Sequence, residues 1–484
     1  MPAARRSFVL LHRSLAYLFG LLILVWFLSG IAMVFTGGMP RLDPDDRLLN
    51  LAPVDLSRVA LSPADAAARA GIDRDVNRAV LIAVVGRPAY QFVSGTTTVV
   101  FADDGRVLER ITPDQSVAIA RLWRSVSPTR VRHAGELHEP DQWTVGQNLQ
   151  MPLHKLLVDD GRGSEMYVSE QLGEVVLVTD RWARALAWLS AIPHWLYFAP
   201  LRRQPALWRQ VMLWSSGISI AVVMLGLVLA VTQYRARYAG LLRWHYRLGW
   251  IAGVFALTWM VSGWLSLEPW WWTSGETRQS DVERAIGGRP LDVRRFTTIP
   301  ALPSERTPVQ EVKEIELRQV FGEPYFVFLR PGARAMLSAA TDQHSFDSSR
   351  FRTQLERALA HVPHSTTLLS KYDSYYRDRT GRSTLPILRL TFEDRERTWV
   401  YVNPATATIV AQFSRRQRIE RWAYHGLHSL DFWNALVGTP AWRTSLVALC
   451  VAGSALSALG LLAGVRRLIT PVNRRRRAAA PSGT

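Results

Sequence analysis

The sequence predicts an α-helical membrane protein with four transmembrane helices in two parallel tandem repeats, each repeat carrying an outer α+β domain. Three observations lead to this fold class. Four long apolar runs interrupt the 484-residue chain, arginines cluster beside those runs, and the two halves match at a shift of about 233 residues. A run of about 20 apolar residues is long enough to cross the hydrocarbon core of a bilayer.

The apolar runs define the predicted spans. We place these at Leu15–Phe35, Val211–Thr232, Leu248–Leu267 and Leu446–Val465. The first run follows Arg5 and Arg6, as a signal peptide would, but it exceeds the roughly 7–15 apolar residues of such a leader. We therefore expect it to remain in the chain as an anchor.

Three arginine clusters orient the spans. They contain no Asp or Glu and supply most of the net charge of +18; their members are Arg5, Arg6, Arg13, Arg235, Arg237, Arg243, Arg247, Arg466, Arg467 and Arg474 to Arg477. The positive-inside rule predicts that these segments are cytoplasmic, with both termini inside. A nucleic-acid-binding patch would not explain why every cluster flanks a span, so we expect no nucleic-acid partner.

Cysteine usage excludes several kinds of site. The chain has one cysteine, Cys450, which lies within the fourth apolar run. An internal disulfide and any cysteine-ligated zinc or iron–sulfur centre are therefore excluded.

Two long polar segments form the predicted outer domains. In the first, Ser62-Pro63 to Gly71 has the signature of a capped helix, and a second helix is predicted at 113–126. Short strands are predicted at 80–85, 90–93, 97–102, 166–168 and 174–178, with Asp104-Gly105 as a hairpin turn.

The domain organisation follows from the spans and these segments. In the first half we assign 1–37 to the cytoplasmic N-terminus and first span, 38–180 to the first outer domain, and 181–234 to an interfacial helix and the second span. In the second half, 235–272 is a cytoplasmic loop and the third span, 273–415 is the second outer domain, and 416–466 is an interfacial helix and the fourth span. Residues 467–484 form a basic tail.

The two halves share many residues at the same shift. The matched pairs include His12 with His245, Ser29-Gly30 with Ser262-Gly263, Tyr167 with Tyr401, His194 with His428, and Trp208-Arg209 with Trp442-Arg443. Both halves begin and end on the cytoplasmic side, so the repeats are predicted to be parallel and related by an axis along the membrane normal.

Four of the eleven histidines recur at this shift. Across a two-fold axis, His12 would face His245 at the cytoplasmic end, and His194 would face His428 at the outer end. Two converging imidazoles can supply the two axial ligands of a haem iron. The alternatives are interfacial anchoring, and zinc binding, for which two histidines without further ligands form an incomplete set.

His425 is the second choice for the outer ligand, because it lies three residues before His428. Its counterpart is Ala191, which argues against a symmetric role. The remaining histidines lie in the outer segments and have no counterpart. Two of these, His361 and His364, are spaced for one face of a helix and are interpreted as polar surface residues. Arg13, Arg247, Arg209 and Arg443 are candidates to pair with haem propionates, and the glycines in the spans would permit close helix approach or make room for a macrocycle.

Several short motifs resemble the PepSY-associated transmembrane family. They are His12-Arg13, Pro193-His194-Trp195-Leu196, Trp244-His245-Tyr246-Arg247-Leu248-Gly249 and Leu427-His428-Ser429-Leu430-Asp431-Phe432, together with PepSY-like segments at 61–111 and 309–346. The resemblance implies a multi-pass protein of the bacterial inner membrane with two periplasmic PepSY-like domains. It also implies iron-regulated, haem-containing reduction of ferric siderophores, with His12, His194, His245 and His428 as the carried-over histidines. The sequence after His194 departs from the family pattern, with Phe198-Ala199-Pro200 in place of glycine-rich sequence.

The leading functional hypothesis is therefore an electron conduit with two b-type haems that passes electrons outward, with a ferric siderophore as the implied acceptor. No G-x-G-x-x-G loop follows a predicted strand, so a quinol or a partner reductase is expected as the donor. The alternative is a non-redox protein whose PepSY-like domains bind peptides or restrain a protease. A transporter is disfavoured because no span carries a charge near its middle.

Overall fold

A computed structural model gives the architecture of the chain. It describes residues 2–72, 76–123, 130–147, 149, 151–233, 238–273, 275, 277–287, 290–300, 311–339, 346–377 and 383–478. Arg235, Arg237, residues 124–126 of the second predicted helix, and residues 309–310 and 340–345 of the second PepSY-like segment lie outside the described residues. The chain divides into two compact units, one formed by 1–39, 183–274 and 419–484 and the other by 40–182 and 275–418.

The first unit is a bundle of four long helices. They are α1 (Pro2–Met33), α8 (Pro205–Thr232), α9 (Gly240–Ser266) and α13 (Asp431–Ala478). Each contains a segment long and apolar enough to cross a membrane, namely Arg6–Met33, Pro205–Thr232, Gly240–Ser266 and Leu436–Ile469. The prediction of four spans is confirmed at this level, and it indicates a multi-pass membrane protein.

All four helices begin earlier than the predicted spans. α1 begins at Pro2 and α9 at Gly240, so His12 and His245 lie within helices rather than before them. Arginine and lysine have a high helix propensity and that of histidine is only moderately lower. A helix therefore extends beyond its apolar segment through such residues until a glycine or a loop ends it. α13 is broken at Gly438, whose φ of 77° is readily adopted only by glycine.

The segment before α8 differs from the single interfacial helix that we predicted. It contains three short helices, α5 (Arg181–Leu189), α6 (Ala191–Trp195) and α7 (Ala199–Arg202). α6 ends at Leu196, which adopts a left-handed conformation with φ of 50°. Pro200 lies in the first turn of α7, where its missing N–H leaves no hydrogen bond unmade. The corresponding segment before α13 contains α12 (Arg415–Arg421) followed by a π-helical turn, Trp422–Gly426.

The second unit is built from three antiparallel sheets. Its strands are β1 (Arg78–Val84), β2 (Arg87–Ser94), β3 (Thr96–Phe101), β4 (Val131–Leu137), β5 (Leu153–Val158), β6 (Ser164–Ser169), β7 (Val175–Thr179), β8 (Glu314–Val320), β9 (Glu323–Arg330), β10 (Ala333–Ser338), β11 (His364–Leu369), β12 (Ile387–Phe392), β13 (Trp399–Asn403) and β14 (Thr408–Phe413). Its helices are α2 (Pro44–Asn50), α3 (Pro63–Arg69), α4 (Pro113–Arg121), α10 (Gln279–Gly287) and α11 (Ser348–Ala358). This mixture confirms the α+β composition predicted for the outer segments.

The two outer segments share one sheet, which the sequence did not predict. The strand order is β10-β9-β8-β1-β2-β3, and the halves join where β1 pairs with β8. The order is symmetric about that junction, since each half contributes a three-stranded meander. Four-stranded sheets β4-β5-β6-β7 and β11-β12-β13-β14 complete the unit.

Local predictions in the first outer segment are largely confirmed. Ser62 caps α3 by accepting a hydrogen bond from the Asp65 N–H, and Thr112 and Gln115 form a capping box on α4. Strands β1, β2, β3, β6 and β7 fall on predicted runs, whereas β4 and β5 were missed. The middle of β4 is Arg132-His133-Ala134-Gly135-Glu136, so it lacks the β-branched and aromatic residues of an obvious strand.

Candidate functional site

His12 and His245 lie on α1 and α9 and make the same hydrogen bond. Nδ1 of His12 is 2.9 Å from the carbonyl oxygen of Val222, and Nδ1 of His245 is 2.9 Å from that of Leu456. A carbonyl oxygen can only accept, so each neutral imidazole carries its proton on Nδ1 and donates it. Nε2 of each ring therefore keeps its lone pair, as a metal ligand requires.

Both rings line one cavity between α1, α8, α9 and α13. Its volume is about 500 Å³, within the range of roughly 300–1,000 Å³ common for ligand and cofactor sites. The wall is mainly apolar, and six of the lining residues are glycines, Gly20, Gly226, Gly249, Gly253, Gly460 and Gly464. The cavity is thus wide because small residues surround it.

Two of these glycines make room for the imidazoles themselves. A Cβ atom on Gly226 would lie 3.0 Å from Cε1 of His12, and one on Gly460 would lie 2.9 Å from Cε1 of His245. Such contacts are shorter than ordinary van der Waals separation. Each histidine ring therefore rests directly on the backbone of a neighbouring helix.

Cationic and polar groups also reach this cavity. Arg13 and Arg467 line it together with Gln233 and Tyr238. The sequence predicts Arg13 and Arg247 as partners of haem propionates near these histidines, but the structure places Arg467 rather than Arg247 in the cavity wall. The Arg247 guanidinium instead lies 5.5 Å from the ring centroid of Trp244.

His194 and His428 form the second pair, and serine hydroxyls orient them. Nδ1 of His194 is 3.0 Å from Oγ of Ser29, and Nδ1 of His428 is 3.2 Å from Oγ of Ser262. Both hydroxyls donate to a backbone carbonyl, Ser29 to that of Trp26 and Ser262 to that of Trp259. The serine protons are thereby used, so each histidine donates from Nδ1 and keeps its lone pair on Nε2.

The two outer rings face one another. Their centroids are 6.2 Å apart and their planes are inclined by 75°. A metal held about 2.0–2.1 Å from one nitrogen of each ring would separate the centroids by about 6 Å. The observed spacing therefore fits a single metal ion between the two imidazoles.

The surroundings of these two rings keep them neutral. Burial lowers the pKa of His194 to about 3 and that of His428 to about 4. The facing imidazole lowers the pKa of His194 further, because two protonated rings would repel. A neutral imidazole is the form that binds a metal.

The structure separates His428 from His425, the second choice. His425 is exposed and packs edge-on against Tyr424, whereas His428 faces His194 and stacks on the same tyrosine at 5.1 Å. His12 and His245 are thus brought together, as are His194 and His428, and His425 stays outside the second pair.

The tryptophans of the repeated Trp-Arg pairs donate hydrogen bonds to the backbone beside the outer histidines. The indole N–H of Trp208 donates to the carbonyl of Trp195, and that of Trp442 donates to the carbonyl of Ser429. Each accepting residue directly follows one of the outer histidines. The tryptophans therefore fix the backbone that carries His194 and His428, rather than presenting their N–H groups to a cofactor.

Sequence reasoning missed the aromatic layer between the two histidine pairs. Trp26, Phe27 and Trp259 are buried in one hydrophobic cluster, with the rings of Phe27 and Trp259 5.8 Å apart. Among the described residues, the indole N–H groups of Trp26 and Trp259 have no hydrogen-bond partner. The shared offset of the two tryptophans was visible in the sequence and was the signal that could have identified them.

Comparison with known proteins adds no relative. No protein-family model matches the chain, and no curated protein matches it.

Proposed function

We propose that this protein is a membrane electron conduit that binds two b-type haems, one between His12 and His245 and one between His194 and His428. One observation carries the proposal. In all four histidines a hydrogen bond from Nδ1 leaves the Nε2 lone pair available, and the four occur as two pairs. A histidine that only packs in the core can adopt either tautomer, whereas an axial ligand must keep one ring nitrogen unprotonated, and the hydrogen bond from the other nitrogen fixes that state.

The two pairs support the proposal in different ways. At the first pair, a cavity of about 500 Å³ with glycine walls adjoins both imidazoles, and Arg13 and Arg467 offer cations to carboxylates. At the second pair, the ring spacing suits one metal ion, and the unpartnered indole N–H groups of Trp26 and Trp259 would find acceptors on a bound polar group. Bound haem would supply reversible one-electron chemistry at each position.

The proposed direction of transfer rests on topology. The arginine clusters favour both termini and the 233–247 loop on the cytoplasmic side, which places His12 and His245 toward the cytoplasm. The equivalent contacts of the two halves, such as His12 with Val222 and His245 with Leu456, support parallel tandem repeats. We infer that residues 38–180 and 273–415 are periplasmic and that electrons move outward.

The distance between the pairs can be bounded along α1. His12 and Ser29, the residue that orients His194, are 17 positions apart on this helix, which corresponds to about 26 Å of helix rise. The aromatic cluster of Trp26, Phe27 and Trp259 lies in this interval. The role we assign to these residues is to fill the interval with closely packed polarisable rings and to exclude water.

The proposed acceptor and donor are assigned from the sequence. A ferric siderophore as acceptor, and membership of the PepSY-associated transmembrane family, rest on the motif resemblance. A quinol or a partner reductase is proposed as donor because no nucleotide-binding loop is evident in the sequence.

The deciding experiment is a spectrum of the purified full-length protein. We expect a low-spin haem spectrum typical of two axial imidazoles and two haems per chain by pyridine haemochromogen assay. A colourless protein that also fails to take up added haemin would overturn the proposal. That result would favour the alternative, a non-redox membrane protein whose PepSY-like domains bind peptide.

The glycines beneath the inner imidazoles give a more specific test. We expect Gly226→Ala and Gly460→Ala to displace His12 and His245, because the new Cβ would lie about 3 Å from each ring; such overpacking typically costs about 1–3 kcal/mol. The haem content per chain should fall by one.

Gly217→Ala is the matched control for these variants. Gly217 lies on α8 like Gly226, but its added Cβ would lie 3.6 Å from Nε1 of Trp264, an ordinary contact. Full haem content in the Gly226 and Gly460 variants would show that the rings do not bind a cofactor in the position described.

A further inference from the structure

A second cluster of potential ligands lies in the outer unit, on the β4-β5-β6-β7 sheet. Its centre is His154 on β5, whose side chain is fully buried. Nε2 of His154 is 2.8 Å from the carbonyl oxygen of Ile111, which can only accept. The neutral ring is therefore protonated on Nε2, and Nδ1 carries the lone pair.

Two other side chains lie near this lone pair, and a third lies near the cluster. Nε2 of His133 is 3.2 Å from Nδ1 of His154, and a carboxylate oxygen of Glu136 is 4.0 Å from it. Glu136 lies on β4 directly opposite His154 in the strand register. Ligand atoms of Glu136, His154 and Glu170 all lie within 4.8 Å of one another.

The backbone fixes the positions of these groups. The Ile111 N–H donates to the carbonyl of Glu170, and the Ile111 carbonyl accepts from His154, so Ile111 joins two members of the cluster. A carbonyl that accepts from the far nitrogen of an imidazole is the arrangement typical behind metal-bound histidines.

The matching positions of the second half show that the sheet does not need these residues. Glu136 on β4 pairs with His154 on β5. At the corresponding place in the second half, Leu368 on β11 pairs with Leu388 on β12. Pro404 stands where Glu170 stands in the first half, at the same shift that matches Tyr401 with Tyr167. The same fold is thus built with apolar residues, so burial of His154 calls for a reason other than packing.

We propose that His133, Glu136, His154 and Glu170 bind one divalent first-row transition metal ion, with zinc as the reference ion. Two imidazoles favour such a metal over calcium or magnesium, which prefer oxygen ligands. Nitrogen ligands about 2.0–2.1 Å from a tetrahedral metal lie about 3.3 Å from each other, close to the 3.2 Å between His133 and His154. Glu136 is exposed on its strand, so it can complete the site by a small side-chain movement.

The test replaces proposed ligands by the leucines found at the matching positions of the second half. Full-length protein is stripped with EDTA and dialysed against a zinc buffer, and bound zinc per chain is measured by mass spectrometry. We expect His154→Leu/Glu136→Leu, which copies Leu388 and Leu368, to bind one zinc ion fewer than the unmodified protein. His364→Leu, which removes a histidine from the second half, should bind the same amount as the unmodified protein.

Two further measurements keep the outcome interpretable. Thermal unfolding of the double-leucine variant reports whether the sheet still folds, and Glu170→Gln removes one ligand with minimal change in shape and should weaken zinc binding at least about tenfold. Equal zinc content in the unmodified protein and both variants would overturn the proposal, and His133 and His154 would then be a hydrogen-bonded pair only. Because the readout is zinc, the result is independent of whether the membrane histidines bind haem.

Discussion

Replacing His194 and His428 together with alanine should leave one haem per chain, and replacing His12 and His245 together should leave the other. In the proposed arrangement each pair would supply the Nε2 lone pairs for one iron, and the hydrogen-bond partners of the two pairs do not overlap. Removing one pair therefore leaves the other pair and its supports in place. The measurement is haem per chain combined with a redox titration, in which each double variant should show a single component.

The controls separate ligation from general disruption. His425→Ala removes the exposed neighbour of His428 and should retain both haems. Ser29→Ala/Ser262→Ala removes one acceptor of each outer Nδ1 proton without touching the ligands, although the Trp259 carbonyl, 3.1 Å from Nδ1 of His428, remains. The variant should weaken the outer haem and leave the inner haem unchanged; losses of this kind are typically about 10–100-fold in affinity. Equal haem content in the two histidine double variants and the unmodified protein would refute the pairing.

The sequence identified the candidate ligands through repetition. His12, His194, His245 and His428 are the histidines that recur at a shift of about 233, and the structure brings them together as the two expected pairs. Repetition is informative here because a residue duplicated at both ends of two equivalent halves must satisfy the same local geometry twice. His133 and His154 have no such counterparts, so repetition does not single them out, although His154 is fully buried.

The groups that orient the ligands could be predicted only in part. Val222 and Leu456 act through backbone carbonyls, and no side-chain pattern reports which carbonyl an imidazole will reach. Ser29 and Ser262 were visible as a repeated Ser-Gly motif, but their role depends on the contact with His194 and His428, which are far away in sequence.

The sheet that joins the two outer segments also depends on contacts between residues far apart in sequence, so the sequence did not predict it. The pairing of β1 with β8 connects residues more than 230 positions apart, including Leu81 with Ile315. Alternating apolar residues specify that a strand is present but not which edge it will join. Arg47 adds a second long-range connection, since its guanidinium forms ion pairs with both Glu174 and Glu314.

The haem-loaded protein, reduced with dithionite under anaerobic conditions, should be reoxidised by ferric siderophores. The expectation rests on the proposed outer haem between His194 and His428 and on the resemblance that implies a ferric chelate as acceptor. Reoxidation should be faster in the unmodified protein than in His194→Ala/His428→Ala, because that variant lacks the ligands of the haem nearest the periplasm. Stopped-flow absorbance of the haem bands measures the rate for a panel of ferric chelates.

Two variants locate the step that limits this reaction. Trp26→Leu/Trp259→Leu keeps all four histidines but removes the large rings between the pairs, so it should slow oxidation of the inner haem more than oxidation of the outer haem. His425→Ala should behave as the unmodified protein in both phases. If no ferric chelate reoxidises the unmodified protein faster than the His194→Ala/His428→Ala variant, the siderophore reductase hypothesis is wrong; a conduit to another acceptor would then be tested by the same experiment with quinones and soluble cytochromes as oxidants.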